Sequence, residues 1–174
     1  YHLSGGAGNS DPNAALGGAI STTQITDATV ANLFDNVSGA EAAAEDFKRR
    51  FAKLEFSVGE TLNADPFELS LALVRRGFAV KEIFGTVSPD EFSYLRQLAE
   101  LSPETRIYSN LSPTMLYYDG SSVEVGVTLG RDAAWYHPDV PNVCWNGERQ
   151  PFGYSGFVSL LSEISAALEG RRKA

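Results

Sequence analysis

The sequence predicts an α/β fold: a Rossmann-like three-layer domain with a mainly parallel sheet of about five strands, preceded by an irregular N-terminal arm rich in Gly, Ala and Ser. Short apolar strand patterns alternate with helical patterns over residues 50–170, and the units carry both start and stop signals. Residues 1–46 contain no Lys or Arg, and their apolar residues are too sparse for a core. We therefore predict two parts, an arm over residues 1–46 and a Rossmann-like domain over residues 47–174.

The first strand–helix unit shows the signals most clearly. A strand pattern at residues 53–59 ends in glycine, and Asp65-Pro66 with Glu68 then reads as N-cap, N1 and N3 of a helix. The apolar spacing continues to Gly77, which occupies the position expected just after a helix.

The later units repeat this arrangement. We predict further strands at residues 78–85, 106–110, 123–130 and 141–145. Ser88-Pro89 and Ser112-Pro113 begin two more helices, a short helical turn covers residues 132–137, and a final helix runs over residues 155–169. Such alternation places a parallel sheet between two helical layers.

Composition excludes several functional classes. The net charge of −8 argues against a nucleic-acid partner, because neutralising phosphates requires clustered Lys and Arg. No apolar run approaches the roughly 18 residues of a membrane span, and the first residues lack the pattern of a signal peptide. We expect a cytoplasmic protein without a membrane partner.

Cysteine and histidine are scarce. The single cysteine, Cys144, excludes an internal disulfide and an all-cysteine metal site built by this chain alone. The two histidines, His2 and His137, are far apart, which argues against a zinc site. We predict that Cys144 is a small buried apolar residue in a short strand, with a metal ligand as the alternative.

Candidate binding residues lie where the predicted strands end, because parallel sheets meet ligands at their carboxyl edge. The chain has neither GxGxxG nor GxxxxGK[ST], so it predicts no self-contained dinucleotide or ATP site. The candidates for cofactor binding are Glu60, Asn110, Ser112, Arg131 and Trp145. Arg131 and His137 are also the catalytic candidates; an ordinary salt bridge and a packed surface histidine are the alternatives.

Part of the N-terminal arm resembles another kind of protein. Leu3-Ser4-Gly5-Gly6, Asn9, Pro12, Leu16-Gly17-Gly18 and residues 37–44 are similar to the opening of a family of small phage structural proteins. The resemblance implies a phage-related structural protein as one alternative. It is confined to the arm.

The rest of the chain resembles the C-terminal Rossmann-like domain of nitrogenase component 1-type proteins. The similar segments, in family order, are PFELSLALVRRGFAVKEIFGT, SPETRIYSNLSPTMLYYDG, VGVTLGRDAAWYHPDVP and VCWNGERQPFGYSGFVSLLSEI. The resemblance implies an oxidoreductase domain of a multi-domain, oligomeric protein. Iron-sulfur or related metalloclusters lie between the domains and subunits of that family, and a separate ATP-dependent iron-sulfur reductase supplies electrons.

The sequence departs from this family at two places. Alignment on Trp145 and on Gly153-Tyr154-Ser155-Gly156-Phe157 puts Val143 where the catalytic family members have a histidine ligand, with Cys144 one residue beyond. Residues 59–63 do not match the family's glycine–arginine stretch after the first strand. We therefore expect a domain or fragment that binds no cluster alone, and that contributes to a cofactor or substrate pocket and to a subunit interface. Its partners would be a component 1-type subunit or the missing domains; a non-catalytic interaction or scaffold module is the alternative.

Overall fold

The chain is described by a computed structural model over residues 27–145 and 153–172, with side chains described for residues 35–145 and 153–170. Two compact units divide the chain, residues 1–38 and residues 39–174. The described part of the first unit is the beginning of helix α1. The second unit contains the sheet and its helices.

Strands and helices alternate as the sequence predicts. In chain order the elements are α1 (Asp27–Arg50), β1 (Glu55–Val58), α2 (Pro66–Arg75), β2 (Ala79–Phe84), α3 (Phe92–Leu101), β3 (Arg106–Tyr108), β4 (Val127–Leu129), α4 (Arg131–Tyr136), β5 (Asn142–Val143) and α5 (Gly153–Arg172). Short 3₁₀ helices occur at Pro89–Glu91, Pro113–Tyr117 and Gly120–Ser122. The five strands form one sheet in the order β3-β2-β1-β4-β5, and every pair is parallel. The predicted Rossmann-like α/β fold is confirmed.

Local capping signals set the helix starts. The Asp65 side chain accepts a hydrogen bond from Glu68 N at 2.7 Å, and Pro66 is the first residue of α2. Ser88 and Glu91 form a reciprocal capping box before α3. Gly77 follows α2 with a φ of 79°, a conformation that favours glycine. These contacts are local, which is why the sequence predicts them.

One face of the sheet is apolar and holds the main core. Its strand residues are Phe56, Val58, Val80, Ile83, Val127, Leu129 and Val143, all buried. Phe47 of α1, Leu73 of α2 and Ile164 of α5 belong to the same buried cluster. Burying each such side chain stabilises the fold by about 1.5–3 kcal/mol, so this face supplies most of the hydrophobic stabilisation.

The other face carries a polar row with one residue from each strand. Strand pairing places Asn142, Thr128, Ser57, Glu82 and Arg106 side by side. The register shifts between Phe56 and Ser57, so that Lys81 is skipped in the pairing and Val80 and Glu82 face opposite sides of the sheet. The three central members of the row, Ser57, Glu82 and Thr128, are fully buried.

Helix α4 and the connection from β3 to β4 cover the polar row. Phe84 of β2 stacks on Tyr136 of α4 with ring centroids 4.5 Å apart, and Tyr118 of the connection meets Phe84 edge-on at 5.4 Å. This layer consists of a six-residue helix and 3₁₀ turns. It is thinner than the helical layer on the apolar face.

Two of the predicted elements differ from the structure. Residues 27–46, predicted to be irregular, belong to α1, and the predicted boundary between residues 46 and 47 lies inside that helix. Alanine favours helix strongly, buried Ala40 and Ala44 give α1 an apolar stripe, and the basic last turn complements the helix dipole. The strand predicted over residues 123–130 is reduced to Val127–Leu129, because a 3₁₀ turn capped by Asp119 precedes it. The prediction for residues 1–26 lies outside the described residues.

Candidate functional site

The strand order identifies the edge of the sheet where a ligand would bind. From β1 the chain proceeds to one side of the sheet and from β4 to the other, so a crevice is expected between the carboxyl ends of these two strands. Residues 59–61 follow β1, and residues 130–132 follow β4. Gly59 N donates to Leu129 O at 2.7 Å, which brings the two loops together.

The carboxylate of Asp132 occupies this crevice. Its Oδ2 accepts from Glu60 N at 2.9 Å and from Asn110 Nδ2 at 2.8 Å. Its Oδ1 accepts from Thr61 N at 3.1 Å and from Thr61 Oγ1 at 2.6 Å. We call Gly59, Glu60, Thr61, Asn110 and Asp132 the Asp132 network. It joins the ends of β1, β3 and β4.

Glycine at position 59 is required by the closeness of this carboxylate. A Cβ atom at Gly59 would lie 2.0 Å from Asp132 Oδ1 and 2.5 Å from Asp132 Cγ. Gly130, which leads from β4 toward Asp132, has a φ of 99°, a conformation that side-chain-bearing residues rarely adopt. The two strand-ending glycines thus allow the carboxylate to reach the loop after β1.

The hydrogen bonds keep Asp132 ionised. Burial raises the pKa of its carboxyl group, but hydrogen bonds from Thr61, Asn110 and the backbone N–H groups of residues 60 and 61 outweigh burial and leave the pKa below its ordinary value. The crevice therefore contains a fixed negative charge that belongs to the chain itself.

Glu60 extends the network to β2. Its Oε2 accepts from Thr86 N at 2.8 Å, and its Oε1 accepts from Asn110 Nδ2 at 2.9 Å. Tyr136 OH lies 3.4 Å from Asn110 Oδ1 and donates to it weakly. The structure thus brings together Glu60 and Asn110, two of the residues proposed from sequence for cofactor binding. That role remains a prediction.

The other predicted cofactor-binding residues have different surroundings. Arg131 is the first residue of α4 and its side chain is exposed, although it adjoins Asp132 in sequence. Ser112 caps the 3₁₀ turn Pro113–Tyr117 by accepting from Thr114 N. Trp145 is buried: its Nε1 donates to Glu163 of α5, and its backbone O accepts from Asn63 N at 2.7 Å. Trp145 therefore ties the end of β5 to α5. The predicted loop residues 146–149 lie outside the described residues.

His137, a predicted catalytic candidate, lies in a buried polar cluster rather than at the surface. Its Nε2 is 2.7 Å from Glu82 Oε2, and Tyr118 OH donates to Glu82 Oε1 at 2.7 Å and to Oε2 at 2.8 Å. Burial and hydrogen bonding to Glu82 raise the pKa of Tyr118, so its phenol remains a donor. The surface placement of His137 is corrected here: its side chain packs under the aromatic layer because the polar row offers it a carboxylate.

The described residues alone provide no ligand set for a metallocluster of the kind implied by the resemblance. Among residues 35–145 and 153–170, no three His, Cys, Asp or Glu side chains are grouped so that they could hold a metal. Val143, at the family's ligand position, is a buried apolar residue. Cys144, predicted to be buried within a short strand, instead lies just after β5 and is half-buried, because the strand ends at Val143; its Sγ lies 3.5 Å from Thr61 O.

The layer that covers the polar row has an unusually apolar outer surface. Leu111, Leu116, Tyr117 and Trp135 are 77%, 85%, 88% and 81% exposed, respectively. They are the four most exposed large apolar side chains of the described residues, and all belong to α4 or to the connection after β3. We call them the exposed quartet.

Comparison with known proteins finds similarity in structure only. No protein-family model matches the chain, and no curated protein is similar to it in sequence. A solved structure described as "Nitrogenase Cp1 at pH 6.5" superposes with a TM-score of 0.64 at 14% sequence identity, over 91% of this chain. The matched region is 37% of the nitrogenase chain. None of the helices in the described ranges is long and apolar enough to cross a bilayer. The chain has a nitrogenase-like fold and spans little more than a third of the nitrogenase chain that it matches.

Proposed function

We propose that the chain serves as one domain of a nitrogenase component 1-type oxidoreductase assembly, and that it has no activity alone. It would contribute a subunit interface and one wall of a cofactor or substrate pocket. Its partner would be a component 1-type subunit or the remaining domains, and an ATP-dependent iron-sulfur reductase would supply electrons to the whole assembly in the cytoplasm. The fold similarity supports this, since it covers 91% of this chain but only 37% of the nitrogenase chain.

The exposed quartet is the observation that favours an interface. Trp135 and Tyr117 are of the residue types that most often dominate binding energy at protein interfaces, and both project from the thin layer over the polar row. Burying large apolar side chains that are as exposed as these would lower the free energy. A partner that covers this layer would bury them and would also shield the Glu82–His137–Tyr118 cluster below it.

The Asp132 network favours a second candidate, a non-catalytic interaction or scaffold module with the same fold. The carboxylate fills the crevice in which a Rossmann-like sheet would bind a ligand. Both candidates need the interface. They differ in whether the assembled complex carries out reduction.

Anaerobic capture of partners tests the interface. The tagged 174-residue chain, expressed in its source organism, is expected to recover a component 1-type subunit in near-stoichiometric amount. A Leu116→Ser, Tyr117→Ser, Trp135→Ser variant is expected to recover about tenfold less, because interface aromatic residues carry much of the binding energy. The matched control is Leu101→Ser with Phe92→Ser, exposed apolar residues of α3, which should leave the recovery unchanged.

Three outcomes would count against the proposal. Recovery of only unrelated proteins would exclude the component 1-type assembly, and equal recovery with the triple variant would exclude the quartet as its interface. Stoichiometric iron in the isolated chain that disappears in Cys144→Ala would show that the chain binds a cluster alone. Reductive activity of the captured complex separates the first candidate from the scaffold module.

A further inference from the structure

The loop after β1 has the donor arrangement of an oxyanion-binding site. Glu60 N, Thr61 N, Thr61 Oγ1 and Asn110 Nδ2 all donate to one carboxylate, at distances between 2.6 and 3.1 Å. Successive backbone N–H groups that converge on one point form a concavity that binds anions. Gly59 provides the space, because any side chain there would overlap the anion.

The occupant of this concavity comes from a distant part of the chain. Asp132 is 71 residues from Thr61 and belongs to a different strand–loop unit. We propose that residues 59–61 and Asn110 form a binding site for a small oxyanion, that Asp132 is its built-in occupant, and that a free carboxylate such as formate takes its place when the Asp132 side chain is removed.

The donors are expected to stay in position without the carboxylate. Asp132 N donates to Thr61 Oγ1 at 2.9 Å, and this backbone contact does not depend on the side chain. The Thr61 hydroxyl oxygen therefore stays beside the vacated place, with its hydrogen free to donate. Asn110 Nδ2 also donates to Glu60 Oε1, which holds the amide in its present orientation. The site would therefore be preorganised in the variant.

The charges of the site select among anions. The four donors are neutral groups, and the Glu60 carboxylate lies beside them through its shared hydrogen bond with Asn110. A second negative charge on the ligand would be repelled by Glu60. The site is therefore expected to bind the singly charged formate better than the doubly charged form of phosphate.

Thermal unfolding of an Asp132→Ala variant of the full chain tests the proposal. At constant ionic strength, replacing 100 mM chloride by 100 mM formate is expected to raise the melting temperature of this variant by about 4 °C, and the increase should saturate. A shift of about this size is expected when an anion is present at about ten times its dissociation constant. Phosphate should give a smaller shift. Two controls should have the same melting temperature in chloride and in formate. They are the wild-type protein and Asp139→Ala, which removes an exposed carboxylate shortly after the end of α4. Adding Thr61→Ala to Asp132→Ala should reduce the formate shift.

Each outcome decides the proposal. An equal formate response in wild type, Asp139→Ala and Asp132→Ala would be a general salt effect and would overturn it, as would a folded Asp132→Ala variant with no response. If Asp132→Ala does not fold in chloride, its circular dichroism after refolding in formate becomes the measurement. Recovery of the helical spectrum in formate supports the site, and an unfolded spectrum in every anion overturns it. None of these results depends on a partner protein, so failure here is distinct from failure of the proposed assembly.

Discussion

Replacing Glu82 with alanine is expected to lower the free energy of unfolding by about 3–5 kcal/mol. Glu82 has no exposed surface, and its two carboxylate oxygens accept from Tyr118 and His137. Removing it takes the carboxylate acceptor from buried His137 Nε2 and from the half-buried Tyr118 hydroxyl, which keep only their mutual contact of 3.2 Å. Buried polar groups that lose a partner incur the cost of desolvation. Urea unfolding followed by circular dichroism measures the change.

Two further variants distinguish the effect of losing the Glu82 hydrogen bonds from the effect of losing packing. Glu124→Ala, which removes an exposed carboxylate, should change stability by less than about 0.5 kcal/mol. The combination Glu82→Leu, His137→Phe and Tyr118→Phe replaces the whole cluster with apolar side chains and is expected to recover much of the stability lost in Glu82→Ala. A combined variant as unstable as Glu82→Ala, or a Glu82→Ala chain as stable as wild type, would contradict the role assigned to the cluster.

Gly59→Ala is expected to destabilise the fold by about 2–4 kcal/mol. The new methyl group would lie 2.0 Å from Asp132 Oδ1, and the short Asp132 side chain can move aside only by giving up its hydrogen bonds to residues 60, 61 and 110. Thermal and urea unfolding would show the loss as a lower midpoint.

Gly39→Ala provides the matched control. Apart from the adjoining residues and backbone of α1 itself, no atom lies within 4 Å of the Cβ position at Gly39, an exposed residue of that helix. Alanine there should therefore stabilise by up to about 1 kcal/mol. A double-mutant cycle of Gly59→Ala with Asp132→Ala should be strongly non-additive, because both changes break the same contact. Additive effects would show that position 59 and the Asp132 carboxylate do not interact.

The sequence predicts the helix starts well, because their signals are local. Asp65-Pro66 and Ser88-Pro89 begin a helix and a helical turn where predicted, since a capping side chain and its backbone donor are three residues apart or fewer. The five parallel strands also follow from the alternation of strands and helices. The start of α1 is missed because glycine, serine and threonine obscure the helix propensity of the alanine-rich segment that follows.

The candidate site is only partly predictable, because its contacts are distant in sequence. Glu60 and Asn110 are foreseen from their places after strands, but no local pattern shows that Asp132 reaches Thr61 across the sheet. The burial of His137 depends on Glu82, 55 residues away, and the side of the sheet that Glu82 faces depends on a register shift. A register shift of one residue reverses which side chains are buried, and only the paired strands reveal it. The sole sequence signal for the Asp132 network is a pair of strand-ending glycines, one of them followed two residues later by aspartate.

The occupation of the β1–β4 crevice by the Asp132 carboxylate is tested most directly by an NMR titration of the aspartate carboxyl groups. We predict that the pKa of Asp132 lies below its ordinary value of 3.8. A carboxyl group whose pKa is lower in the folded than in the unfolded state adds stability that is fully present above the unfolded pKa and is lost as the pH falls through the folded pKa. The wild type should therefore lose stability more steeply than Asp132→Asn as the pH is lowered below about 4. An Asp132 pKa at or above 3.8, with parallel pH profiles for the two proteins, would show that the crevice is not closed by this carboxylate.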